Sequence, residues 1–93
     1  MAEDRGGDWS LLTNHGHVLL CIAMQEDIRI REIAARTGLT ERATQRIIAD
    51  LERTGVLSHE RVGRRNRYSI DVSHRSEHPL EGHLDLEALT PAT

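Results

Sequence analysis

The sequence predicts a mainly α-helical domain in which three helices form a core and a small two- or three-stranded antiparallel sheet follows. Apolar residues recur at three- and four-residue spacing in three successive segments, which predicts the helices. Two stretches that alternate between apolar and polar residues then flank a glycine-containing turn, which predicts a hairpin. The chain has 93 residues, no Phe and 2% aromatic residues, so one small core has to be built from aliphatic side chains.

The first two helices are predicted from their apolar spacing and end signals. Thr13 and Asn14 can cap the first helix, which runs to about Met24. The second covers about residues 31–36, although no good capping residue precedes it. Between them, the alternating Ile-Arg-Ile at 28–30 predicts a very short strand.

The third helix has the clearest boundaries. Gly38 has the backbone freedom for a tight turn after the second helix, and Thr40 can cap the next one. The apolar stripe continues to about Thr54, and Gly55 follows where a left-handed residue commonly ends a helix.

A hairpin is predicted after this helix. Residues 56–62 and 68–72 form its strands, and Gly63-Arg64-Arg65-Asn66 forms a turn with two exposed cations. The hairpin completes a folded domain over residues 10–72.

The two ends of the chain differ from the middle in composition. Residues 1–9 are mostly small and charged, which predicts a flexible leader. Residues 73–93 form a polar tail that contains both prolines. Within this tail, the leucines of 80–89 can form a short amphipathic helix.

Charge is concentrated in the middle of the chain. Residues 28–70 carry ten Arg against five acidic residues, for a net +5, while residues 1–27 and 71–93 each carry −4. The total of −3 therefore conceals a basic domain between acidic ends, and a basic domain is typical of nucleic-acid binding.

The segment from the second to the third helix has the pattern of two closely crossing helices. Ala34 is small enough for the crossing, and Leu39 and Ile47 point to the core. The residues that this leaves facing outward are Thr40, Glu41, Arg42, Gln45, Arg46 and Ala49. A face rich in Arg and Gln can reach base edges in a DNA major groove.

These residues resemble a winged helix-turn-helix transcriptional regulator of the MarR or ArsR kind. The resemblance covers about residues 10–72 and rests on Ile33-Ala34, Gly38-Leu39-Thr40, Arg46 to Glu52, Gly55-Val56-Leu57 and the basic turn 61–67. Many members have an apolar residue where this chain has Thr44, whose hydroxyl can bond to a backbone carbonyl one turn back.

The resemblance implies a sequence-specific regulator that binds double-stranded DNA. The recognition helix would be residues 40–54 in the major groove, and the wing would be residues 61–67 on the backbone or in the minor groove. The implied DNA contacts are Thr40, Arg42, Gln45 and Arg46 in the helix and Arg61, Arg64, Arg65 and Arg67 in the wing.

We also expect a homodimer that presents two recognition helices to a pseudo-palindrome. Trp9, Leu11, Leu12 and the segment 80–89 are its candidate contacts. Whether the protein responds to a small-molecule effector is left open by the sequence.

Two other functions compete with DNA binding. The acidic ends also suit a winged-helix module that binds proteins and not DNA. A metal sensor would use histidines, namely His15, His17, His74, His78 and His83, but no Cys pair supports such a site.

Further classes are disfavoured by what the sequence lacks. It has no phosphate-binding glycine loop, no His-Glu-x-x-His and no nucleophile elbow, so we expect neither catalysis nor a cofactor. Its single cysteine, Cys21, lies in an apolar helix and is expected to be an inert buried thiol. With no apolar run of about 18 residues and no secretory leader, we expect a cytoplasmic protein without a membrane span.

Overall fold

The computed structural model describes residues 9–90, so most of the predicted leader lies outside the described residues. Three helices come first and a two-stranded antiparallel hairpin follows, which confirms the winged-helix fold. The elements are α1 (Asn14–Met24), α2 (Ile30–Thr37), α3 (Glu41–Thr54), β1 (Leu57–Val62), β2 (Arg65–Ile70) and a 3-10 helix at Leu86–Leu89. No helix in this part of the chain has both the length and the apolar character needed to span a membrane.

The core is aliphatic, as the composition predicts. Val18, Ile22, Ile28 and Ile33 come from α1, α2 and the turn between them, and each is at most 2% exposed. Tyr68 of β2 belongs to the same cluster, so the hairpin is packed onto the helices. Burial of these side chains therefore fixes the position of both helices and hairpin.

The connection between α2 and α3 is held by local hydrogen bonds. Gly38 has φ +77° and donates its N–H to the Ala34 carbonyl at 2.9 Å. Thr40 Oγ1 accepts the Ala43 N–H at 3.0 Å, so Thr40 is the predicted cap. The fully buried Thr44 donates its hydroxyl to the Thr40 carbonyl at 2.9 Å, which satisfies this polar group in the core.

The start of α2 is stabilised by a side-chain hydrogen bond that the sequence analysis did not predict. The Arg29 backbone N–H donates to Glu32 Oε1 at 3.0 Å, so a residue inside the first turn satisfies a free donor in front of the helix. The helix accordingly begins at Ile30, one residue before its predicted start.

The predicted strand at 28–30 is wrong, and the sheet has two strands. Ile28 is buried, yet this segment makes a turn into α2 and not a ladder. One backbone hydrogen bond, from Tyr68 N–H to the Glu26 carbonyl at 2.8 Å, joins the turn to the outer edge of β2. Because α2 begins at Ile30, the chain leaves that edge before a second bond can form.

The hairpin turn is tighter than predicted. Val62 pairs with Arg65, so only Gly63 and Arg64 form the turn, and Gly63 has φ +64°. Arg65 therefore lies in β2, in correction of its predicted place in the turn. The second strand ends at Ile70, before the predicted Val72.

The tail does not form the predicted amphipathic helix over its leucines. Residues 79–83 form turns, and regular structure is limited to the 3-10 helix Leu86–Leu89. Pro79 and Gly82 disfavour a continuous helix here. Leu86 nevertheless packs against the core, so this part of the tail lies on the domain.

Candidate nucleic-acid interface

Helix α3 has one buried and one exposed face. Its buried residues are Thr44, Ile47, Ile48 and Leu51. The exposed residues on the opposite side are Glu41, Arg42, Gln45, Arg46 and Ala49, together with the cap Thr40. The predicted outward orientation of this face is therefore confirmed.

The cations of this face have no partner within residues 9–90. Arg42 and Arg46, one turn apart, make neither an ion pair nor a side-chain hydrogen bond to any described residue. With Thr40 and Asn14 they line a shallow cavity of about 350 Å³. The Thr40 hydroxyl accepts the capping bond and keeps its own proton to donate. The side chains of Thr40, Arg42 and Arg46 thus present donors to a ligand that approaches this part of the face.

The acidic residues near the end of α3 are occupied elsewhere. Asp50 accepts from His15 Nε2 at 2.9 Å and from Arg53 at 2.8 Å, and the hydrogen bond from His15 is the main cause that lowers the pKa of this carboxyl. Glu52 bonds to His59 of β1. The partners of Asp50 and Glu52 are therefore His15, Arg53 and His59, and not Arg42 or Arg46.

The predicted wing residues fall into two groups. Arg61, Arg64 and Arg67 are exposed, and none of them forms an ion pair with another described residue. Arg61 Nε donates to the Gly63 carbonyl at 3.3 Å, and Arg67 lies opposite Glu60 in the strand register.

Arg65 forms the second group alone. Its guanidinium lies 3.1 Å from Oδ2 of Asp27, a residue of the turn between α1 and α2. Asp27 also accepts from Gln25 at 3.3 Å. The bond from Gln25 and then the charge of Arg65 lower the pKa of the Asp27 carboxyl. Arg65 therefore has an intramolecular anionic partner, unlike the other wing cations.

Sequence reasoning missed Arg29. This exposed residue precedes α2 and lines a cleft together with Arg61, Arg64 and Arg65 of the wing. Its only signal in the sequence is membership of the basic segment 28–70, since it lies outside the helix-turn-helix and the hairpin.

The histidines and the cysteine have ordinary contacts. His15 bonds to Asp50, His17 to Ser10, and His78 accepts the Leu80 N–H. The part of the chain that the structure describes contains no group of three or more metal-ligating side chains. Cys21 is buried as predicted, and burial raises the pKa of its thiol.

Comparison with known proteins agrees with this architecture. The model of the MarR family matches residues 9–67, which include all three helices and most of the hairpin. An uncharacterized protein of Methanocaldococcus jannaschii is 32% identical over 71 residues, which is 75% of this chain. The chain spans only 15% of the length of that relative. No solved structure matches the chain. With its helix-turn-helix, its basic hairpin and this match, the chain belongs to the MarR family.

Proposed function

We propose that this chain regulates transcription by binding a specific sequence of double-stranded DNA, with α3 in the major groove and the hairpin on the backbone or in the minor groove. The observation that carries the proposal is the outer face of α3. Its cations Arg42 and Arg46 are exposed and lack carboxylate partners within residues 9–90, while Asp50 and Glu52 on the same helix are engaged elsewhere.

Each predicted contact has a defined chemical task. An Arg guanidinium can donate two parallel bonds to guanine, and the Gln45 amide can pair with adenine. The Thr40 hydroxyl lies at the start of α3, where a phosphate is favoured by the helix dipole. Arg61, Arg64 and Arg67 carry the wing's charge to phosphates or a narrow minor groove. Arg65 joins them only when it leaves Asp27.

The test is selection from a random-sequence duplex library at about 150 mM salt, followed by sequencing of the retained duplexes. We expect a defined motif, and we expect Arg46→Ala to lose the preference at one base position while the rest of the motif is kept. An unchanged motif in the variant would remove Arg46 from base recognition. Retention without any motif would contradict sequence-specific binding.

The wild-type result also separates this proposal from its main alternative. If no duplex is retained, the α3 face is a docking surface for an acidic protein, and the chain is an interaction module. The acidic segment 71–93 of this chain has the charge that such a surface would bind.

We further propose that the protein binds DNA as a homodimer, as members of the family usually do. Four large apolar side chains are exposed near the ends of the described chain: Trp9, Leu11, Leu80 and Leu84. Leu11 and Leu84 line one groove, together with Leu12 and Leu89. Exposed apolar side chains around a groove are typical of a protein interface.

Light scattering tests this interface. Deletion of residues 74–93 is expected to raise the monomer fraction, and Leu84→Ser is a milder change at an exposed position. A full dimer in both variants would exclude the tail from the interface. A palindromic motif from the selected library would support the dimer independently.

A further inference from the structure

The cleft between the hairpin and the turn from α1 to α2 is strongly basic. It measures about 210 Å³ and is lined by four arginines, Arg29, Arg61, Arg64 and Arg65, and by one carboxylate, Asp27. The buried side chains of Ile28 and Tyr68 also line it. Cations from two separate parts of the chain therefore meet around a small concave surface backed by the core.

Only one of these four cations is paired within residues 9–90. Asp27 Oδ2 lies 3.1 Å from the Arg65 guanidinium, and both side chains are partly exposed. Glu32, three positions after Arg29, accepts the Arg29 backbone N–H through Oε1 at 3.0 Å and forms no ion pair with the Arg29 guanidinium. Like charges at close range repel, so the cleft is stabilised by any anion that enters it.

We propose that this cleft binds one phosphodiester group of the DNA backbone through Arg29, Arg61 and Arg64, and that Asp27 limits its affinity by holding Arg65. The inference rests on the proposed function, because the phosphate belongs to the duplex that α3 reads. Guanidinium groups suit this ligand, since their planar donors match phosphate oxygens in pairs. A volume of about 210 Å³ accommodates a phosphate with its flanking atoms.

Arg29→Ala tests the site, and Arg75→Ala is its matched control. Both variants remove one exposed Arg, but Arg75 lies in the tail and its only described hydrogen bond is to the His74 carbonyl. Each contact between a cation and a phosphate contributes about 0.9 to the slope of log affinity against log salt. We expect Arg29→Ala to reduce the magnitude of that slope by about 0.9 and to weaken binding about eightfold at 0.1 M salt. Arg75→Ala is expected to change neither quantity.

Asp27→Asn tests the limiting role of the carboxylate. The substitution keeps the shape of the side chain and removes its charge, so the ion pair that holds Arg65 away from the duplex is lost. We expect the salt slope to steepen by about 0.9 and the affinity to rise. The double variant with Arg65→Ala should return to the wild-type slope. Thermal unfolding of each variant shows that the comparison is made between folded proteins.

The outcomes separate this inference from the proposed function. If wild type selects a motif and Arg29→Ala has the wild-type salt slope, the phosphate site is wrong and the regulator remains. If Asp27→Asn leaves the slope unchanged, Asp27 does not limit the site. If wild type binds no duplex, both proposals fall.

Discussion

The two ends of helix α3 carry the same kind of side chain in opposite electrostatic settings. Arg42 and Arg46, in its first half, are exposed and have no ion-pair partner within residues 9–90. Arg53, in its last turn, donates to Asp50 at 2.8 Å, and Asp50 also bonds to His15 of α1. Arginine content alone therefore does not identify a binding face; the placement of the carboxylates does.

The hairpin repeats this contrast over a single step of the chain. Arg64 is in the turn and exposed, whereas Arg65 is the first residue of β2 and contacts Asp27. A surface ion pair of this kind contributes at most about 1 kcal/mol to stability. Its larger consequence concerns binding, because the paired guanidinium has to leave one anion before it can contact another.

The largest expected effect is on stability, and it comes from weakening the packing of α3 against the core. Ile47 is 7% exposed and packs in the core directly after Arg46 in sequence. We expect Ile47→Ala to reduce the free energy of unfolding by about 2–5 kcal/mol, through lost burial and the cavity left behind. Chemical denaturation measures the loss. Ala49→Ser, on the exposed face, is the control, and it should stay within about 0.5 kcal/mol of wild type.

Paired substitutions at the two ends of α3 test the contrast directly. Arg42→Ala is expected to weaken binding to the selected duplex by about 1–3 kcal/mol, because a base or phosphate contact is lost. Arg53→Ala removes the same charge from the same helix, but that charge is already bound to Asp50, so we expect a much smaller effect. Titration of both variants against one duplex measures the difference. Equal losses would mean that net charge alone determines affinity.

In the hairpin, the same test uses salt dependence. Arg64→Ala should reduce the magnitude of the slope of log affinity against log salt by about 0.9, which corresponds to a loss of about 1 kcal/mol in binding free energy at 0.1 M salt. Arg65→Ala should reduce the magnitude by less, because Asp27 already neutralises that guanidinium. Titrations at four or more salt concentrations determine both slopes. An Arg64→Ala slope equal to that of wild type would show that the turn does not touch phosphate.

The parts of the interface that were predictable depend on signals close together in the chain. Gly38 and Thr40 specify the turn and the cap of α3 by their own conformational and hydrogen-bonding preferences. The apolar stripe of α3 likewise determines which residues face outward. Arg42 and Arg46 are exposed in the structure, as this stripe predicts.

The features that sequence reasoning missed depend on contacts between distant residues. Asp27 and Arg65 are 38 positions apart, and no local spacing relates a turn before α2 to a strand after α3. Arg29 enters the basic cleft for the same reason, since only the packed hairpin brings the wing beside it. The predicted strand at 28–30 failed because alternation describes side-chain burial, while a strand also needs a length of backbone to pair.

The smallest expected effect concerns Asp50, in the C-terminal half of α3, and its bonds to His15 and Arg53. The bonds from His15 and Arg53 hold the pKa of Asp50 below its ordinary value of 3.8. A carboxyl whose pKa is lower in the folded state stabilises the fold above its ordinary pKa, and this contribution is lost as the pH falls through the lower value.

Asp50→Asn should therefore be less stable than wild type at about pH 5, and the difference should shrink toward about pH 2. Within residues 9–90, Asp27 and Asp71 also have a lowered carboxyl pKa; both are common to the two proteins, so their contributions cancel in the difference. Denaturant unfolding of both proteins across this range measures it, and a gap that stays constant would contradict the assignment. DNA affinity at neutral pH should change little in the variant, because Asp50 contacts His15 and Arg53 and leaves the cations of the α3 face unpaired.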